Sequence, residues 1–118
     1  MRHHLVTAAL LLSACATSDG QGPTPAPVIA AERAFAARAG ELGWVPAFRE
    51  FAAPDGLMPG PTGYASAPER LTQIPDDGNR DLNWWPAFAG IARSGDIGFT
   101  TGPASFDAAR TPAIYYFT

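Results

Sequence analysis

Between Val28 and Leu42, apolar side chains return at steps of three and four: Val28, Ala31, Phe35, Ala39 and Leu42 share one side of a helical wheel, and Glu32, Arg33, Arg38 and Glu41 fall mostly elsewhere. That spacing predicts an amphipathic helix. Gly40 and Gly43 suit its end. Trp44, Phe48 and Phe51 begin a second helical run, with Pro46 in its first turn, where a missing N–H does no harm.

Beyond the two helices the pattern shortens. Pro54-Asp55-Gly56 reads as a turn, and Leu57-Met58 as a short strand at best, interrupted by Pro59-Gly60-Pro61. Ser66-Ala67-Pro68-Glu69 matches a capping box and opens a short helix that Pro75 must stop. Asp76-Asp77-Gly78-Asn79 is turn chemistry. Leu82, Trp84 and Phe88 alternate loosely with polar or small neighbours, and Pro86 forces a bulge or an edge position. Ile97, Phe99 and Thr101 alternate with smaller residues, and Arg93-Ser94-Gly95-Asp96 between the two runs predicts a hairpin turn. Pro103 to Thr111 reads as a loop, and Ala113 to Thr118 as a strand. The last run reaches Thr118 with no turn or polar tail, leaving an aromatic, uncharged edge, so the chain reads as truncated.

The first 27 residues follow other rules. Met1 to His4 make a short positive start, Leu5 to Leu12 a compact apolar run, and Leu12-Ser13-Ala14-Cys15 a small-residue site ending in cysteine. This is the layout of a secretory signal, and its apolar run falls short of the roughly twenty residues that a bilayer requires. Ala16 to Pro27 is Gly, Ser, Thr and alternating Pro, with almost nothing to bury, and reads as a solvated spacer reaching about 35 Å when extended. The expected organisation is a signal over 1–14, a cysteine and tether over 15–27 and one folded domain over 28–118.

Composition narrows the chemistry. With 47% hydrophobic residues, 16% charged and a net charge of -3, the chain is globular in type. Residues from Cys15 onward carry seven Arg against eleven acidic residues, so nucleic acid is not an expected partner. Lysine is absent, Cys15 is the sole cysteine, and both histidines, His3 and His4, lie in the leader. Ser-His-Asp and Cys-His catalysis, Lys-dependent phosphate loops and His/Cys zinc sites are therefore excluded for the domain, and no metal or cofactor is expected. Any acid or base must be Asp, Glu or Tyr.

Leu12-Ser13-Ala14-Cys15 resembles the lipobox of bacterial lipoproteins, which implies acylation of the Cys15 thiol, cleavage before it, and attachment to the periplasmic side of a membrane through lipid. An ordinary signal cleaved near Ala14 or Ala16, with Cys15 incidental, is the alternative. The order of elements resembles the nuclear transport factor 2 (NTF2)-like superfamily, more closely its bacterial DUF4440 and SnoaL-like branch. The residues that carry the likeness are Ala31-Glu32-Arg33-Ala34-Phe35, Gly43-Trp44, Ala47-Phe48, Asp55-Gly56, Leu82-Asn83-Trp84-Trp85-Pro86 and Ser94 to Pro103. The resemblance implies an α+β fold: a cone of N-terminal helices packed on a curved antiparallel sheet, lacking its C-terminal strand or strands. The fold hosts enzymes and plain binding modules alike, so it does not choose an activity.

Members of the ketosteroid isomerase type place a carboxylate and Tyr donors inside an apolar cone. Asp55, Tyr64, Asp81, Asp96, Tyr115 and Tyr116 are considered for such roles, and none falls in a catalytic signature. Asp55, Asp76, Asp77 and Asp96 have a sufficient reason in turn chemistry. An apolar ligand site is expected to draw on Trp44, Tyr64, Trp84, Trp85, Phe99 and Tyr116, although core packing alone explains most of these aromatics. Two functions remain open: a lipid-anchored module that binds a small apolar molecule or a partner, with homodimerisation compatible, and a small isomerase, dehydratase or cyclase using Asp or Glu with Tyr.

Overall fold

The computed structural model describes residues 22–118 except 108, 110 and 113. The expected leader, the Cys15 lipidation site and most of the tether lie outside these residues. Helix α1 spans Ala26–Leu42 and α2 spans Trp44–Phe51, joined at Gly43 alone. Gly43 has φ +97° and donates its N–H to the Ala39 carbonyl at 2.9 Å, a backbone state that other residues adopt poorly. The carbonyl of Asn79 would lie 3.2 Å from a Cβ there, a second reason for glycine.

Strands β1 (Leu57–Gly60) and β2 (Gly63–Ser66) form an antiparallel hairpin, with Pro59 opposite Tyr64. This corrects the expectation of an interrupted strand: in a two-stranded hairpin one side of each strand bonds to nothing, so Pro59 is tolerated. Helix α3 (Ala67–Gln73) follows at once, its N-terminus capped by Ser66 Oγ, which accepts the Glu69 N–H at 3.4 Å as the capping box predicts. Arg49 of α2 donates to the carbonyl of Leu71 at 2.8 Å and 3.0 Å and to that of Ile74 at 2.8 Å. The guanidinium thereby satisfies carbonyls at the end of α3 and ties that helix to α2.

The second sheet is centred on β5 (Gly98–Ser105). Along one edge run β3 (Asn83–Trp84) and β4 (Phe88–Ile91), and along the other β6 (Ile114–Phe117), all antiparallel to β5. Between β3 and β4, Trp85, Pro86 and Ala87 face only Gly102 and Pro103, so the edge carries a bulge where Pro86 stands. Trp85 and Ala87 still donate to the carbonyls of Pro103 and Thr101, and the Trp85 carbonyl lies 2.1 Å from where a Gly102 Cβ would be. Two prolines and a glycine meet at this one irregularity, each suited to a missing bond or a close approach. The hairpin of Arg93 to Asp96 is present, with Ala92 donating to the Ile97 carbonyl at 2.7 Å. The expected loop from Pro103 begins three residues late, because Pro103 and Ala104 pair with Tyr115 and Ile114 of β6 and Ser105 pairs with Asn83 of β3.

The architecture is thus helices plus antiparallel sheet, α+β, with α1 and α2 packed on the sheet. Phe35 is the hub of the core. Its ring lies 4.7 Å from Phe48, 5.0 Å from Phe51 and 4.8 Å from Trp84, centroid to centroid. Such edge and stacked contacts stabilise a small core by roughly 0.5–1.5 kcal/mol each beyond the area they bury.

Candidate functional site

Glu32 is the residue around which the candidate site forms. It stands four residues after Val28 and three before Phe35, so it lies on the inward stripe of α1, and only 7% of it is exposed. The stripe assigned from sequence differs at one place, with Ala31 set inward where Glu32 stands; Ala31 is exposed. Tertiary partners explain the difference. Trp84 Nε1 donates to one carboxylate oxygen, and the Thr118 hydroxyl donates to the other at 2.8 Å. A buried carboxylate is tolerated where donors meet it, and the two donors here come from β3 and from the residue that follows β6, on opposite sides of β5.

The inner face of the sheet supplies the rest. Backbone N–H and carbonyl groups of Thr100 and Thr118 exchange bonds at 2.9 Å and 3.0 Å, and their hydroxyls lie 2.7 Å apart. Because Thr118 directs its proton to Glu32, Thr100 is the donor of that pair. Tyr116, opposite Gly102, stands on the same face, and among the described residues no group meets its buried hydroxyl at full hydrogen-bond geometry. Burial pushes the Tyr116 phenol up from its ordinary value; the charge of Glu32 adds to this and the neighbouring Thr100 hydroxyl opposes it.

Two adjoining cavities border this group. One of 180 Å³ is lined by Leu82, Trp84, Ala104, Phe106, Ile114 and Tyr116 together with the residues it shares with its neighbour. The neighbour, of 510 Å³, lies among α1, α2, α3 and β1, and the shared residues are Phe35, Phe48 and Thr118. Every other side chain on the larger cavity is apolar save Glu32. The arrangement can hold a small apolar molecule beside one carboxylate and two hydroxyls, with α1 carrying the carboxylate, and β6 and the residue after it carrying the hydroxyls.

Of the residues expected at a ligand site, Trp84 and Tyr116 are brought together here. The other four are not. Trp44 packs on Phe48 at 5.6 Å and borders a different hollow with Asn79, Leu82 and Phe106. Tyr64 is 78% exposed on the hairpin, because its partner Pro59 and the turn leave that face uncovered. Trp85, displaced by the bulge, borders a separate hollow of 220 Å³ with Arg33, Ala36 and Ala37. Phe99 alternates to the outer face, 6.0 Å from Phe88 and close over Gly90.

The candidate carboxylates Asp55, Asp81 and Asp96 are exposed, and Asp76 and Asp77 accept the N–H groups of Gly78 and Asn79 at 3.0 Å and 2.9 Å, as turn chemistry predicts. The Ser94 hydroxyl and nearby backbone N–H groups hold the Asp96 carboxyl below its usual value, a turn effect away from the cavities. Among the described residues no cluster of three or more His, Cys, Asp or Glu is placed to hold a metal ion, and no helix is long and apolar enough to cross a membrane. The signal that could have found Glu32 was available: a lone acidic residue at the centre of an i, i+4, i+7, i+11 series of Val28, Glu32, Phe35 and Ala39.

Fold and site together define a small α+β domain with an apolar cleft and one buried carboxylate. Comparison with models of known protein families, with characterised proteins and with solved structures finds no match to this chain.

Proposed function

We propose that this chain is an exported domain of the NTF2-like type, held at the periplasmic side of a bacterial membrane by lipid on Cys15, that binds a small, largely apolar molecule. The observation that carries the binding reading is the 510 Å³ cavity, whose only polar side chains among the described residues are Glu32 and Thr118. That volume falls in the range of about 300–1,000 Å³ usual for ligand pockets, and apolar walls with a few polar groups are their usual lining. Two helices followed by antiparallel strands support the NTF2-like reading, and Leu12-Ser13-Ala14-Cys15 supports export and anchoring.

The test of binding is titration of the purified full chain with the uncharged fluorophore N-phenyl-1-naphthylamine. Saturable one-to-one binding is expected; emission that never saturates, or never rises, sinks the reading. Anchoring is tested by mass spectrometry of the membrane fraction, with Cys15→Ser as control. A soluble, unmodified product with a different first residue would remove the lipid from the proposal.

One observation favours a second reading, an isomerase, dehydratase or cyclase in which Glu32 moves a proton and Tyr116 stabilises charge: both groups are buried beside an apolar cavity. Binding alone is preferred because both Glu32 oxygens are already engaged, by the Trp84 indole and the Thr118 hydroxyl, which hold the carboxylate in place. Exchange of a bound ketone's acidic C–H for deuterium, lost in Glu32→Gln, would reverse that preference.

A further inference from the structure

Resting on the binding reading above, we infer that the cavity selects its ligand by charge: it takes an uncharged molecule and rejects anions, and Glu32 sets the selection. Glu32 is nearly enclosed yet borders the larger cavity. Among the described residues no cationic side chain borders either cavity. The guanidiniums of Arg38, Arg49 and Arg80 are engaged elsewhere, with Glu41 and Glu50, with the end of α3 and with the carbonyl of Glu41.

An anion in the cleft would therefore meet a like charge across a space with few polar groups, and Coulomb repulsion is strong there. A cation fares little better. It would lose its hydration among apolar walls and find both carboxylate oxygens already accepting from Trp84 and Thr118. A neutral molecule meets neither cost and gains from the apolar walls. The 180 Å³ cavity sets the scale, since about 150 Å³ of apolar space admits a benzene ring.

The experiment uses three probes of one shape, 2-naphthylmethanol, 2-naphthoate and 2-naphthylmethylammonium, each titrated calorimetrically into the purified full chain at neutral pH. The alcohol is expected to bind roughly ten- to a hundred-fold more tightly than naphthoate, and more tightly than the ammonium. Naphthoate binding as well as the alcohol overturns the inference, and so does the ammonium binding best, which would make Glu32 a counter-ion. In Glu32→Gln the amide still suits both partners, because the Thr118 hydroxyl can turn to accept. That variant should bring naphthoate within about three-fold of the alcohol; an unchanged ratio in a folded variant removes Glu32 from the role. Should the variant fail to fold, the wild-type order of the three probes still decides. Equal binding of all three ends charge selection and leaves the cavity reading standing, whereas no binding by any of them ends the binding reading and this inference with it.

Discussion

On the inner face of β5, Gly98, Thr100, Gly102 and Ala104 present nothing larger than a threonine, whereas the outer face carries Phe99 against the exposed ring of Phe88. The face with the small residues is the one that matters for function. A Cβ on Gly98 would come within 2.7 Å of Val28, so α1 lies directly on the strand there. The large rings on the inner side come from Phe35, Phe48 and Trp84, and the small β5 residues leave them room. The outer aromatic pair lies over Gly90, and Phe88 is 63% exposed. Ring size along a strand is therefore a poor guide to which side holds a site; what faces the helices decides it.

The comparison breaks or sharpens under four substitutions. Trp84→Ala should have the largest effect, about 3–5 kcal/mol, because it empties the centre of the inner side and leaves a Glu32 oxygen without its donor. Urea denaturation of the full chain measures it; a loss below about 1 kcal/mol would mean the inner face is not the core. Gly102→Ala comes next at about 2–3 kcal/mol, since a Cβ there would collide with the Trp85 carbonyl at 2.1 Å and the Ala87 nitrogen at 2.9 Å. Its check is the same denaturation curve, together with loss of amide protection at Trp85 and Ala87 in hydrogen exchange.

Thr100→Val keeps the shape and removes one fully buried hydroxyl from the chain that runs through Thr118 to Glu32. A cost of about 1–2 kcal/mol is expected, with weaker binding of any probe that occupies the cleft. Phe88→Ser on the outer face should cost least, under about 1 kcal/mol, because most of that ring is already in water. Were Phe88→Ser to cost more than Thr100→Val in the same assay, the outer face would be covered in solution and the contrast between the faces would be wrong.

Local rules made much of the fold legible. The Ser66 cap, the turn at Arg93 to Asp96, the helix boundary at Gly43 and the bulge at Pro86 each depend on residues only a few positions apart. The hairpin of β1 and β2 was missed because prolines at 59 and 61 argue against a strand unless its free edge is known. The length of β5 was missed for a related reason, since pairing with β6 and β3 draws Pro103 to Ser105 into the strand. For the site, Trp84 and Tyr116 were legible as aromatics, but so were Trp44, Tyr64, Trp85 and Phe99, which went elsewhere.

By itself the sequence determined the three helices, the turns and which side chains are missing, because periodicity, capping, turn preference and the absence of Lys are all local or compositional. That Glu32 joins the inward stripe of α1 in place of Ala31 was decided only by the tertiary structure. A glutamate on an apolar stripe can be buried only if donors arrive to meet it, and here they come from Trp84 and Thr118, 52 and 86 residues along the chain. No helical wheel contains those partners: the sequence places Glu32 among apolar neighbours, and the sheet folded against the helix supplies the donors that let it be buried there.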